Sequence, residues 1–420
     1  LFCQQLLIDS AELAVVMLLD FTRQLDIIAI VGVPVIAGNI LLNCAAVIQK
    51  GDLLALIPKT FLPNYSEFYE KRWFASSQDL NPIDILYAGS SIHITNQPTI
   101  FRTYTGATFG IELCEDVWAP EPPSTRLCLS GADIIFNLSA SDELIGKHNY
   151  LCSLLSQQSA RTMSGYVYSS SGFGESTQDL VYGGNALIYE NGNEVASSER
   201  FSFESQMVVA QIDYEMLRAE RRNNTTFINA QRPTSLSHTL PQVRFINCHS
   251  TQIRDFVLER YVNPTPFIPA SADMKESCEE IFNIQVAGLA KRLVHTNCNT
   301  VVIGISGGLD STLALLVCVK TFDKLKLPRT GIVGVTMPGF GTTDRTYTNA
   351  MTLMKELGIS IREISIRDAC IQHFKDLDHD INVHDVTYEN GQARERTQIL
   401  MDLSNKLNGM VIGTGDLSEL

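Results

Sequence analysis

The spacing of hydrophobic residues divides the chain into regions of different character. From Asp26 to about Ile212 it runs in short apolar stretches punctuated by turn residues, a pattern of strands. The longest stretch, Ile27 to Ile48, would fill a membrane-spanning window. Gly32, Pro34, Gly38, Asn39 and Asn43 divide it, which predicts two or three buried strands instead. Hairpins are predicted at VIQKGDLLALI and at ALIYENGNEVASS, where Asn191-Gly192 suits a tight turn. Helical stretches are LFCQQLLIDSAELAVVMLLDF at the start and LIGKHNYLCSLLSQQSARTM further on. A two-layer sheet core with helices outside accounts for the mix.

From Glu276 onward helix and strand alternate, through CEEIFNIQVAGLAKRLV, TVVIGIS, DSTLALLVCVKTF, TGIVGVTMP, TNAMTLMKELG, ISIREIS, ARERTQILMDLSNKLNG and MVIGTG. Such alternation predicts a parallel sheet with helices on both faces, and ligands at the carboxyl ends of its strands. The polar segment 218–274 reads as a connector, leaving domains at 1–217 and 275–420. The whole is an α/β protein.

Composition narrows the chemistry. With 420 residues, 45% of them apolar, the chain can bury two or three cores. A net charge of -14 argues against a nucleic-acid surface. Ten cysteines without CxxC pairs, and no histidine cluster at ligand spacing, argue against zinc or a disulfide framework and fit a reducing, cytoplasmic setting. No basic stretch precedes the first helix, so we expect neither signal peptide nor membrane span. The chain lacks an initiator Met and stops abruptly at GTGDLSEL, so a longer protein is expected.

The segment VVIGISGGLDSTLALLVCVK carries the clearest chemistry. A β-branched run ends at Ser306-Gly307-Gly308, and Asp310-Ser311-Thr312 opens an apolar helix. Glycines there let the backbone approach an anion, and the helix start offers unpaired N–H donors. The Walker lysine is absent. Asp310 is either a helix-dipole partner or a holder of Mg²⁺ on a phosphate chain.

These residues resemble the pyrophosphatase loop of the ATP pyrophosphatases, enzymes that split ATP into AMP and pyrophosphate. With GVTMPGFGTTDRTYTNA, YENGQARERTQILMDLSN and VIGTGDLSEL they resemble the NAD⁺ synthetase family. Asn390 and Thr414 are 24 residues apart, and Glu419 lies five further on, as in that family. The resemblance implies a doubly wound sheet of the adenine nucleotide alpha hydrolase kind. It implies ATP contacts from Gly304, Ile305, Ser306, Gly307, Gly308, Leu309, Asp310, Ser311, Met337 and Thr414. It also implies Mg²⁺ at Asp310 and Glu419, and deamido-NAD⁺ at Asn390 and Glu419. Taken alone, Asn390 before a glycine also suits a turn.

An amidating enzyme needs ammonia, and the first half offers a source. FGIELCEDVWAP sets Cys114 at the end of an apolar run before Glu115-Asp116, and IPKTFLPNYSEFYEKRWF sets Lys59 after another. A thiolate nucleophile needs a base and a nearby cation. Taken alone, Cys114 also suits a buried apolar site and Lys59 a solvated strand end. Together the segments resemble the carbon–nitrogen hydrolase (nitrilase) family, whose αββα sandwich carries a Cys-Glu-Lys triad. That resemblance implies Cys114 as nucleophile, Lys59 stabilising the tetrahedral intermediate and Glu70 orienting the site. It places the general-base Glu before Leu1; Glu12 is no substitute. In NLSASDELIGKHNY and nearby, it implies glutamine contacts from Tyr65, Ser141 and Lys147, the last often Arg in the family. The expected whole is a glutamine-dependent amidation of deamido-NAD⁺, in a homo-oligomer by family analogy. Two rivals are a stand-alone amidase and an ATP pyrophosphatase amidating another acid.

Overall fold

The computed structural model describes residues 2–175, 180–231, 242–251, 257–269, 273–341 and 344–415. They form two compact units, Leu1–Val262 and Asn263–Leu420.

In the first unit, α1 (Gln5–Thr22) leads into the antiparallel strands β1 (Ile28–Ala37), β2 (Ile40–Gln49) and β3 (Asp52–Pro58). The hydrophobic stretch from Ile27 thus makes two strands, Val33 facing Cys44. Lys50 and Gly51 take positive φ and close the hairpin to β3. A separate hairpin, β4 (Ile83–Tyr87) and β5 (Ser90–Ile94), follows.

The second sheet contains β6 (Thr99–Arg102), β7 (Thr108–Leu113), β8 (Ile134–Ser139), β9 (Gly165–Ser170), β10 (Ala186–Glu190) and β11 (Asn193–Ser197). Helix α2 (Pro123–Leu129) crosses from β7 to β8, and α3 (Lys147–Thr162) from β8 to β9. Strands β7, β8 and β9 are parallel, so their carboxyl ends share one edge. Beyond β11 come α4 (Tyr214–Asn223) and α5 (Thr225–Ala230). Then β12 (Arg244–Asn247) pairs in parallel with β6 as the sheet's last strand. Much of the stretch read as a connector is therefore part of this unit. Arg218 on α4 clamps Asp133 at the start of β8 with two hydrogen bonds, at 2.9 and 2.7 Å.

Alternation along the strands builds four layers. Val15 and Leu19 of α1 pack on Val33, Val35, Leu42 and Ile48. The other face of that sheet, through Ala45, Val47 and Ala55, meets Phe101, Phe109, Ile111 and Leu113. Tyr166 and Tyr168, with Ile135, face the helices through Leu127, Leu151 and Leu155. The order is helix, sheet, sheet, helix, the αββα sandwich expected from the sequence.

The second unit begins with α6 (Met274–Thr296), followed by β13 (Val301–Gly304), α7 (Leu309–Leu325), β14 (Ile332–Thr336), α8 (Asp344–Glu356), β15 (Ser360–Glu363), α9 (Arg367–Asp376), α10 (Val386–Lys406) and β16 (Met410–Ile412). All four strands are parallel, in the order β15-β14-β13-β16. Both faces of the sheet are covered. Val301 and Ile303 pack on Leu315, Cys318 and Phe322 of α7, and Val302 packs with Cys370, Phe374 and Leu403 on the α9–α10 side. Burying each large side chain contributes ~1.5–3 kcal/mol, and the β-branched Val301, Val302 and Ile303 suit the strand they form. The chain turns back between β13 and β16, so the crevice at their carboxyl ends is the topological switch point. Among the described residues no helix is long and apolar enough to cross a membrane.

Candidate functional site

In the first unit the end of β7 delivers Cys114. Its φ of +45° lies in the left-handed region, which costs a non-glycine residue about 1–3 kcal/mol. The turn is held from below: the Cys114 amide donates to Asn137 Oδ1 at 3.0 Å. Asn137 Nδ2 in turn donates to the Tyr166 hydroxyl at 3.1 Å, and that hydroxyl to the buried Glu112. Cys114 itself is half-buried.

Lys59 follows β3 and is 3% exposed, so it is not a solvated strand end. Its Nζ lies 2.5 Å from Glu70 Oε2, and Glu70 Oε1 accepts from Asn43 Nδ2 at 2.8 Å. A buried ammonium needs such a partner. Glu12 is engaged elsewhere, accepting the Ala88 amide at 2.8 Å in the β4–β5 turn.

The other expected residues of this unit gather nearby. Tyr65 donates to Glu115 Oε1 at 2.8 Å, and the Glu115 carboxyl is within electrostatic reach of Lys59, Glu70 and Lys147. Burial raises the Glu115 carboxyl above its usual range. Burial, then the Glu115 hydrogen bond, pushes the Tyr65 phenol up. Tyr65, Tyr168 and Tyr182 all lie within electrostatic reach of the Cys114 sulfur. Lys147, at the start of α3, pairs with Asp142 at 2.5 Å and stands over the Trp118 ring at 5.7 Å. Ser141 is buried, its amide directed at Ser170 Oγ, 3.3 Å away.

Sequence reasoning passed over Asp116, Asn137 and Asn43. Asp116 appeared only as half of an acidic pair, yet it is buried with both oxygens occupied by backbone amides. Burial first, then the Glu112 carboxylate, pushes its carboxyl up to about 7. One signal was legible: an acidic residue following an apolar strand end is costly unless donors surround it.

In the second unit the loop after β13 lies at the switch point. Gly307 has φ +85°, and a Cβ there would sit 2.2 Å from the Thr346 carbonyl oxygen. Ser306 Oγ accepts from the Gly308 amide at 3.3 Å and lies 3.1 Å from Ser311 Oγ, which closes the loop onto the first turn of α7. Gly308 is the residue before α7, Leu309 and Asp310 open that helix, and Asp310 is exposed. Ile305 extends β13, its amide bonded to Val335 at 2.9 Å. A Cβ on Gly304 would meet Met337 Cε at 3.3 Å, so the loop and Met337 share one wall. Ile303 pairs with Ile412, which brings Thr414 to the same end of the sheet.

Asn390 is not in a turn. Asn390-Gly391 lies inside α10, where a Cβ on Gly391 would come within 2.7 Å of the Phe374 ring; the glycine serves helix packing. Glu419 lies outside the described residues.

Residues 281–420 match the family model described as NAD synthase. The chain is 37% identical over 435 residues to a glutamine-dependent NAD(+) synthetase of Mycobacterium leprae, covering 99% of this chain and 62% of that protein. Its counterpart from Mycobacterium bovis is 38% identical over 424 residues, with the same coverage. That of Thermotoga maritima is 29% identical over 381 residues, covering 90% of this chain and 59% of that protein. The chain thus spans 62% of the length of the two mycobacterial relatives.

Proposed function

We propose that the chain carries the two reaction centres of a glutamine-dependent NAD⁺ synthetase. The observation that carries this reading is likeness extending over 99% of the chain, through both units, to proteins of that name. A stand-alone amidase would need only the first unit.

In the first centre, Cys114 Sγ attacks the carboxamide carbon of glutamine. The carbonyl electron pair moves to oxygen, where the buried Lys59 ammonium stabilises it. The thiol proton passes to the departing nitrogen, collapse expels ammonia and leaves a thioester on sulfur, and water hydrolyses the thioester to glutamate and the free thiol. Glu70 fixes Lys59 through their 2.5 Å pair, while Tyr65, Ser141 and Lys147 orient the substrate. In the second centre the nicotinate carboxylate of deamido-NAD⁺ attacks the α-phosphorus of ATP and pyrophosphate leaves. Ammonia then attacks the activated carbonyl and AMP departs, giving NAD⁺. The residues from Gly304 to Ser311, with Met337 and Thr414, hold ATP; the N–H groups at the start of α7 face its phosphates. Asn390 and Glu419 contact deamido-NAD⁺.

Mg²⁺ belongs to this reading. Asp310 offers an exposed hard carboxylate beside the phosphate loop, a donor suited to an ion that retains several waters. Glu419 would be its second ligand. When bound, the ion neutralises charge on the pyrophosphate leaving group. Homo-oligomeric assembly completes the reading, and light scattering on the full-length protein measures it.

The test is a product assay of the full-length protein with deamido-NAD⁺, ATP, Mg²⁺ and glutamine. Equal yields of NAD⁺, AMP, pyrophosphate and glutamate support the reading. Release of ADP, or glutamate without NAD⁺, would contradict it.

A further inference from the structure

Lys59 and Cys114 sit at the ends of β3 and β7, strands of two different sheets. No ladder hydrogen bond fixes one end relative to the other, because stacked sheets meet only through side chains about 10 Å thick. One buried carboxylate bridges the gap. Asp116 Oδ1 accepts the amides of Thr60 at 3.2 Å and Phe61 at 2.7 Å, the two residues that follow Lys59. Its Oδ2 accepts the amide of Leu113 at 2.9 Å, the residue before Cys114.

We propose that Asp116 is a positioning residue, which fixes the separation between the Lys59 ammonium and the Cys114 sulfur by tying both loops to one carboxylate. The inference rests on the roles given to Lys59 and Cys114 above. Three amides converging on one carboxyl group give directional bonds, strongest in its ionised form, and because they come from the main chain the tie transmits directly to both Cα positions. The remaining contacts complete the frame. The Lys59 amide donates to Asn43 at 2.8 Å, and its carbonyl accepts from Ser77 at 2.9 Å. Asn137 holds the Cys114 amide from the other side. A residue 1% exposed, bearing a carboxylate, would be a costly choice for filling space alone. Asparagine has the same shape, but one of its two ends would present N–H to an N–H.

The experiment is Asp116→Asn in the full-length protein, with glutamine or ammonium as nitrogen donor. Misplacing a catalytic group by about 1 Å can cost about 100-fold. The expected kcat with glutamine therefore falls about 10- to 100-fold, while KM for glutamine stays within about threefold, because Tyr65, Ser141 and Lys147 are untouched. Product formation from ammonium remains at the wild-type rate. Glutamine should still protect Cys114 of the variant from alkylation by iodoacetamide, which shows a folded, ligand-competent pocket. Loss of protection together with turnover would overturn the proposal, since Asp116 would then hold the fold rather than the separation. A variant kcat within twofold of wild type would overturn it as well. Failure of the wild-type protein to use glutamine would instead sink the assignment of Cys114 and Lys59 on which it rests.

Discussion

A single added methyl group tests the loop proposed to hold ATP. On Gly307 it would meet the Thr346 carbonyl at 2.2 Å, at a φ of +85° where a side chain already costs about 1–2 kcal/mol. Gly307→Ala should therefore lower pyrophosphate release from ATP at least about 100-fold with either nitrogen donor. Unchanged release would mean that the loop does not hold ATP. Asp310→Asn makes a different point, because its side chain is exposed and its loss should leave the melting temperature unchanged. We expect NAD⁺ formation to vanish with glutamine and with ammonium alike while basal glutamine hydrolysis persists; near-normal NAD⁺ formation would remove Asp310 from metal binding. Asp116 yields a pH prediction. Its carboxyl, raised to about 7 in the fold, binds a proton more tightly there than in the unfolded chain. The stability this contributes is complete below about pH 4 and lost as pH rises through about 7. Thermal melts of the first unit should accordingly fall across that window, by an amount on the order of a few kcal/mol, and Asp116→Asn should flatten the slope. An identical slope in the variant would assign the effect to another group.

Between elements, α10 passes the Phe374 ring of α9 at Gly391, where a Cβ would come within 2.7 Å of that ring. Gly391→Val must separate the two helices, an overpacking cost of about 1–3 kcal/mol. Calorimetry of the full-length protein should show the second unit melting earlier, with the first unit unmoved. The same glycine shows where the sequence misleads. Asn-Gly is ordinary turn chemistry, yet here the helix runs from Val386 straight through it, because burial against Phe374 outweighs local propensity. Local signals otherwise served well. Asn191 and Gly192 both take positive φ and close the β10–β11 hairpin, as that dipeptide predicts. Strand β12 was invisible because its partner, β6, lies far back in the chain and nothing in RFIN announces a parallel pairing. The site divides along the same line. Cys114 and Lys59 stand out because each ends an apolar run, whereas Asn137, and Asp116 through the bond to Phe61 that matters here, accept from main-chain amides more than twenty residues distant. No local period encodes such a contact.

In the whole molecule, the proposed reading gives one reaction to each unit, with ammonia as the intermediate they share. The net charge of -14 fits neither a nucleic-acid nor an anionic-membrane surface, so the anionic substrates of the proposed reaction would depend on local donors such as the N–H groups that open α7. The claim that glutamine chemistry at Cys114 feeds ligation in the second unit is tested most directly by Cys114→Ala in the full-length protein. NAD⁺ formed from deamido-NAD⁺ and ATP is measured with glutamine and, separately, with ammonium. The account predicts that synthesis from glutamine is lost, because the only atom able to form the thioester is gone, while synthesis from ammonium stays near the wild-type rate. Equal loss with both donors, or undiminished use of glutamine, would contradict it.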